Sequence, residues 1–390
     1  MNILLLGEYS NVHATLAEGL RLLGHRVTVA SNGDFWKDYP RDIDLSRGTG
    51  KMGGLMLMAR LCRLLPRLRG YDVVQLINPM FVELSAARIL PLYRYLRRHN
   101  RRVVLGAFGM DYYWVHECCT RKPLRYSDFN MGADLRTNTD ALTERRDWLG
   151  TDKERLNRLM AADCDAVVAG LYEYWVCYQP LFPSKTHFVP LPIKPKPLAD
   201  SAGGERCLSD PVKVFIGINR VRSEYKGTDI MLRAAREVEA RYPGRMELVV
   251  AESVPFAQYV EMMNGSDAIM DQLYSYTPSM NPLEAMSRGI ICIGGGEPEN
   301  YQIIHEERLR PIINVEPSYE SVCRALESLV LHPERIPGLK RGSVEYVARH
   351  HDYMKVAVEY ERIYRGLLSR DRGGASNGIS GIGTCQERAR

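Results

Sequence analysis

The sequence predicts an α/β protein made of two Rossmann-like, doubly wound domains that face each other across a central cleft. Short aliphatic or β-branched runs alternate with helix-length amphipathic segments almost throughout the chain. There are enough such runs for two sheets rather than one. A stretch rich in Pro, Gly and Ser separates the two sets.

The strand candidates of the first half are NILLL, RVTVA, DVVQLI, RVVLGAF, DAVVAG and HFVPL. VKVFIGI, MELVVAE, DAIMDQL, IICIG and PIINV follow in the second half, separated by helical patterns such as DIMLRAAREVEARYPG. Continuous apolar runs between helices indicate parallel strands covered on both faces. The dividing stretch, VPLPIKPKPLADSAGGERCLSD, runs from Val189 to Asp210. The expected division is a first domain over 1–190, a linker over 191–210 and a second domain over 211–350. Residues 111–150 carry aromatics and charges without clean periodicity, as a functional or disordered connection does. Residues 370–390 lack apolar residues at helical spacing and are expected to be disordered.

Composition sets limits on function. With 390 residues, 45% hydrophobic and 25% charged, the chain reads as an ordinary soluble protein. MNILLLGEYS has no basic leader, and no stretch approaches the roughly 18 apolar residues of a membrane span. A cytoplasmic protein is expected. Nine cysteines without CxxC pairs suggest neither a disulfide framework nor a zinc ribbon. The densest group, His116-Glu117-Cys118-Cys119, has adjacent cysteines that rarely serve one tetrahedral zinc, so no metal is expected.

The net charge of +5 is unevenly placed. Between Lys51 and Arg102 eleven basic residues face two acids, a local excess of +9. The region reads as two solvated helix faces, or as an attraction to an anionic membrane, because GGLMLMARLCRLLPRLRG alternates Leu and Met with Arg. The second reading places the protein peripherally at the inner face of the cytoplasmic membrane. No nucleic-acid-binding motif accompanies the charge, so nucleic acid is not expected as a partner.

Four places could carry chemistry. After VKVFIGI, Arg220, Arg222 and Lys226 precede Gly227 and a helix start for which Thr228 is a plausible N-cap. Cations beside a bare helix N-terminus suit a diphosphate, and a surface loop with three solvated cations is the alternative. In SYTPSMNPLEAMSRG, Tyr276, Ser279 and Asn281 lie at a strand's carboxyl end. There Asn281 and Glu284 fit a capping box, and Glu284 also fits vicinal ribose hydroxyls. Gly294, Gly295 and Gly296 let backbone approach a ligand or turn sharply. Gly7 ends the first strand, so Glu8, Asn11 and His13 would line the mouth of the first sheet, although His13 also fits a packed helix position.

Taken together these residues resemble glycosyltransferases of the GT-B fold, most closely family 4. The matching marks are Gly24-His25-Arg26-Val27, then Lys226-Gly227-Thr228-Asp229, then Leu283-Glu284-Ala285-Met286-Ser287-Arg288-Gly289. Their order and spacing cover roughly residues 1–368. The resemblance extends to a closing helix over 351–369 that crosses back to the first domain.

The resemblance implies a retaining, metal-independent transfer of a hexose-type residue from a nucleotide-diphosphate sugar, with no cofactor. Lys226 and Arg220 or Arg222 would neutralise the leaving diphosphate, and Glu284 would bind the ribose. Lys226, Arg222, Glu284 and Asp111 are the implied catalytic set. Gly7, Arg220, Gly227, Thr228, Tyr276, Ser279, Asn281, Gly295 and Glu297 would bind the donor. Glu8, Asn11, His13 and Tyr112 would meet the acceptor, a saccharide or a lipid-linked saccharide of polysaccharide assembly. One departure stands out: the family commonly has a glutamate eight residues before Glu284, where this chain has Tyr276. Glu297 or Glu299 could replace that carboxylate. Two other functions are compatible with the departure, a nucleotide-sugar-binding partner without catalysis and a nucleotide-sugar epimerase.

Overall fold

The computed structural model describes residues 1–195, 210–219, 223–252, 254 and 256–373. The chain forms two parallel sheets and one small hairpin. The first sheet holds β1 (Asn2–Leu6), β2 (Arg26–Ser31), β3 (Ile43–Asp44), β4 (Val73–Leu76), β5 (Arg102–Ala107), β8 (Ala166–Ala169) and β9 (Thr186–Phe188), in the order β3-β2-β1-β4-β5-β8-β9. The hairpin is β6 (Asn130–Met131) with β7 (Asp134–Leu135). The second sheet holds β10 (Val212–Ile218), β11 (Met246–Glu252), β12 (Ala268–Met270), β13 (Ile291–Gly294) and β14 (Ile313–Asn314), in the order β11-β10-β12-β13-β14.

Helices cover both faces, which is why β1 and β4 can be apolar without alternation: Leu4, Leu5 and Leu6 are fully buried, as are Val73 and Val74. Strand order reverses beside β1 in the first sheet and beside β10 in the second. Open α/β sheets bind ligands at such switch points, outside the carboxyl ends of the strands.

The chain crosses between the sheets twice, and the two crossings lie side by side. Ile193 N donates to His351 O at 2.7 Å, and Tyr353 N donates to Ile193 O at 2.9 Å. His351 Nδ1 adds a bond to Leu191 O at 3.0 Å. The rest of the expected linker, 196–209, lies outside the described residues. After the second crossing, the helix Tyr353–Gly373 returns to the first sheet and packs on the helix Val12–Leu22. A Cβ at Gly19 would come within 2.8 Å of Ala357 Cβ, so the two helices touch closely. His25, in the turn before β2, bonds Glu361 at 3.0 Å through Nε2, which ties that turn to the returning helix. The helix runs past the expected end at 369, so 370–373 are helical rather than disordered. Residues 374–390 lie outside the described residues.

Segment 111–150 is ordered. It forms the helix Tyr112–Cys119, the hairpin, and the helix Thr139–Trp148. The basic region is partly structural: Arg60 pairs with Asp44, Arg97 and Arg102 with Asp165, and Arg101 with Asp72. Met52, Leu55 and Met56 on the helix Gly50–Leu64 remain exposed at 66%, 60% and 62%. No helix among the described residues is long and apolar enough to cross a membrane.

Candidate functional site

At the mouth of the first sheet, β1 ends in Gly7, whose φ of +87° favours glycine and whose Cβ would meet Ile77 Cγ2 at 2.3 Å. The chain then turns so that Glu8 closes the start of the helix Val12–Leu22, accepting from His13 N at 3.2 Å and Ala14 N at 2.8 Å. Burial raises the Glu8 carboxyl to about 8, against the lowering effect of those N–H groups. His13 donates from Nδ1 to Gly7 O at 2.8 Å, because a carbonyl only accepts, and its Nε2 is buried with no partner. Burial lowers His13 to about 4, so the ring is neutral.

Backbone strain collects at this mouth. Ser10, Asn11, Asp34, Phe35 and Asp38 all have φ between +50° and +71°. Asp34 joins the two loops, accepting from Ser10 N at 2.9 Å and from Lys37 Nζ at 2.6 Å. The structure gives Asp111 and Tyr112 work in the fold. Asp111 caps the helix Tyr112–Cys119 by accepting from Trp114 N at 2.8 Å, and it accepts from Tyr178 OH at 2.7 Å. Burial raises its carboxyl to about 6. Tyr112 is buried, and its N donates to Asn157 Oδ1 at 3.0 Å.

In the second domain, Lys226 ends the short helix Ser223–Lys226, and Gly227 leads into the helix Thr228–Arg241. Gly227, with φ of +73°, occupies the N-cap position expected of Thr228. Thr228 is instead buried in the first turn, its Oγ1 3.0 Å from Ser223 Oγ. The backbone explains the shift: a Cβ at 227 would lie 2.6 Å from Leu273 Cβ, so only glycine permits this approach. Lys226 O accepts from Leu273 N at 2.9 Å, which ties this loop to the loop after β12. No hydrogen bond or ion pair engages the Lys226 ammonium among the described residues. Arg220 and Arg222 lie outside the described residues.

The capping box expected of Asn281 and Glu284 does not form. The helix is Met280–Ser287 with Ser279 before it, so Asn281 is already helical and Glu284 lies two residues past the position that could reach back. Asn281 Nδ2 donates to Tyr259 OH at 2.9 Å, and Ser279 Oγ donates to Asp271 Oδ2 at 3.2 Å. Glu284 is half-buried and pairs with Arg288 at 2.8 Å. Tyr39 lies near acids of both domains. Its hydroxyl pKa is raised by burial first and then by the charges of Asp34, Glu8 and Glu284, so Glu8 and Glu284 face one neighbourhood across the cleft.

The first-domain side chains that hold the second domain carry no motif in the sequence. Arg125 pairs with Glu297 at 2.5 Å and Glu299 at 2.6 Å. Tyr126 OH donates to Glu297 Oε1 at 2.5 Å. Tyr225 OH donates to Asp128 Oδ2, also at 2.5 Å. Arg136 donates to Glu224 O at 2.7 Å and lies 3.6 Å from the Tyr274 ring centroid, against the turn that carries Lys226. Glu173 accepts from the 275–277 loop.

These contacts place Tyr276 and Glu297 differently from the expected donor contacts. Tyr276 is 1% exposed, its ring lies 4.7 Å from that of Tyr126, and its hydroxyl accepts from Arg125 N at 2.8 Å. An aromatic side chain at 276 is drawn into this interdomain aromatic cluster. Glu297 is 5% exposed and engaged by Arg125, Tyr126 and Asn314. Gly295 packs so tightly that a Cβ there would meet Ser275 O at 2.8 Å.

The start of the helix Thr228–Arg241 suits an anion, and the half-buried Glu284 carboxylate can accept from hydroxyl groups. An unengaged ammonium lies one glycine before the start of a 14-residue helix, and a carboxylate lies on the next helix but one. No group of three or more His, Cys, Asp or Glu among the described residues is arranged to hold a metal.

No family model and no curated protein matches the sequence. Solved structures do match in shape. HepE from Anabaena in complex with UDP-glucose matches with a TM-score of 0.57 at 12% identity, over 95% of this chain and 100% of that one. The catalytic domain of starch synthase IV from Arabidopsis thaliana, bound to ADP and acarbose, gives 0.56 at 11% over 95% and 100%. UDP-GlcNAc 2-epimerase from Neisseria meningitidis bound to UDP-GlcNAc gives 0.51 at 13%, again over 95% and 100%. Likeness at such identity speaks to architecture, and the chain has the GT-B fold.

Proposed function

We propose that this protein is a glycosyltransferase that moves a sugar from a nucleotide-diphosphate sugar to a saccharide or lipid-linked saccharide acceptor, with retention and without a metal. The observation that carries the proposal is the Lys226 ammonium behind Gly227, at the carboxyl end of the second sheet, which no group among the described residues engages. A departing nucleotide diphosphate develops negative charge, and a preorganised cation with a helix N-terminus stabilises it there. In this reading Lys226, with Arg220 or Arg222, neutralises the diphosphate, and Gly7, Gly227, Thr228 and Gly295 bring backbone close to it. Glu284 accepts from the ribose hydroxyls, with Ser279 and Asn281 fixing the start of its helix. Glu8, Asn11 and His13 border the acceptor, whereas Asp111 and Tyr112 shape the first-domain wall from behind.

The nucleotides bound by the Anabaena and Arabidopsis structures support a nucleotide-sugar donor here. Polysaccharide assembly at an anionic membrane fits the apolar ridge Met52, Leu55 and Met56, which is flanked by exposed Lys51, Arg63 and Arg67. The likeness to the Neisseria epimerase favours donor-only turnover as the second reading. Measuring nucleotide diphosphate release together with the isomeric composition of the remaining donor, for a panel of nucleotide sugars with and without saccharide acceptors, separates the two: a transferase releases the diphosphate when the acceptor is present, and an epimerase forms an isomeric nucleotide sugar from the donor alone.

A further inference from the structure

Glu173 opens the helix Tyr172–Tyr178 of the first domain, yet the hydrogen bonds its carboxylate accepts come from the second. Oε1 accepts from Tyr276 N at 2.6 Å and Thr277 N at 3.0 Å and, at 3.0 Å, shares the Ser275 Oγ proton with Thr277 O at 2.5 Å, and Oε2 accepts from Thr277 Oγ1. The side chain is 5% exposed, and no cation pairs with it among the described residues. Its charge is therefore held by one short loop of the opposite domain. A buried carboxylate that lost those donors would need rehydration, so the loop and the carboxylate stabilise each other only when the domains are together.

The loop is gripped from its other side as well. A Cβ at Gly295 would lie 2.8 Å from Ser275 O and 2.9 Å from Thr277 N, so the glycine-rich turn after β13 supports the same backbone that Glu173 holds. Beyond Thr277 the chain runs through Ser279 into the helix that carries Glu284. We infer that Glu173 is a positioning residue: it orders the 275–279 loop, and through it the start of the Glu284 helix, when the cleft closes. The inference rests on the reading of this loop as the border of the nucleotide-sugar site. Cleft closure and donor-site order are thereby one event, because the carboxylate comes from one domain and its donors from the other.

The test compares full-length wild type, Glu173→Ala and Glu173→Gln by hydrogen–deuterium exchange without ligand, and by thermal shift with UDP. Exchange at Tyr276 and Thr277 is expected to quicken about tenfold or more in Glu173→Ala, with β1 and β4 unchanged. Glutamine keeps an acceptor oxygen for the two N–H groups, so Glu173→Gln is expected to recover most of the protection, and Glu173→Asp, whose shorter side chain draws the carboxylate back from the loop, carries the test with the same expected loss of protection should the alanine variant fail to fold. The UDP concentration giving half the full shift should rise about tenfold in Glu173→Ala and less in Glu173→Gln. Wild-type exchange at 276–277 in both variants, faster exchange across the whole protein, or an unchanged UDP response in a loosened loop would each overturn the inference. A wild type that neither UDP nor ADP stabilises counts against the nucleotide-sugar reading and not against Glu173, whose hold on the loop is judged by exchange alone.

Discussion

Arg125 of the first domain lies between Glu297 and Glu299 of the second, 2.5 and 2.6 Å from their carboxylates, while its backbone N donates to Tyr276 OH at 2.8 Å. One residue therefore engages both the acids of the glycine-rich turn and the tyrosine eight positions before Glu284. Both carboxylates of that turn are thereby paired with a single guanidinium of the opposite domain.

Removing the Arg125 guanidinium leaves Glu297 buried with only Tyr126 and Asn314 to hold its charge. Arg125 is itself 56% exposed on its side chain, which limits the effect. Arg125→Ala is expected to destabilise the protein by about 1–2 kcal/mol, read as a lowered urea midpoint. Arg125→Ala combined with Glu297→Gln should recover part of that loss. A double variant no more stable than the single would show that the ion pair does not govern docking.

Gly227→Ala meets two obstacles, a φ of +73° and a Cβ 2.6 Å from Leu273. About 2–3 kcal/mol of destabilisation is expected from strain and overpacking. The change also displaces Lys226, so turnover should fall more than stability alone explains. Gly244→Ala, with a similar φ of +77° and open space around it, serves as the control that carries strain without the clash.

Stability should fall with acid through two buried histidines. His13 and His351 sit at about 4 in the fold, lowered by burial from 6.5. A histidine with a depressed pKa binds its proton better when unfolded. Its full contribution is present above about 6.5 and is lost as the pH falls toward 4, by about 3 kcal/mol for each ring. Glu8 and Asp111, raised to about 8 and about 6, act in the opposite sense and strengthen the fold as the pH falls. His351→Asn isolates the histidine effect: its urea stability should change less between pH 7 and pH 4.5 than that of the wild type. Equal changes would contradict the assignment.

The exposed ridge on the helix Gly50–Leu64 gives a separate prediction. Leu55→Glu with Met56→Glu should lower sedimentation with phosphatidylglycerol vesicles about tenfold and leave the unfolding temperature unchanged, since both side chains face solvent. Binding equal to wild type would place the membrane contact elsewhere or nowhere.

The parallel strands other than β3 were legible because they lie in apolar runs, and Lys226-Gly227 because a cation and a glycine directly precede an amphipathic pattern. β3, β6 and β7 span two residues each, too few to show any period. Thr228 and Asn281 obey local capping preferences, but tertiary contacts with Leu273 and Tyr259 decide where those helices begin. Glu173, Arg125 and Arg136 act on residues 88 to 174 positions away. Nothing local marks them, and two of the three lie in the segment where periodicity fails.

Nucleotide diphosphate release from a panel of nucleotide sugars, measured for wild type, Lys226→Ala and Glu284→Ala, tests the proposed chemistry most directly. The expected result is release by the wild type with at least one donor, falling about a hundredfold in kcat for Lys226→Ala, which loses charge stabilisation in the transition state. For Glu284→Ala the fall should be about tenfold and mainly in KM, since ribose binding is made equally in the ground state. Unchanged turnover in both variants would contradict the assigned site.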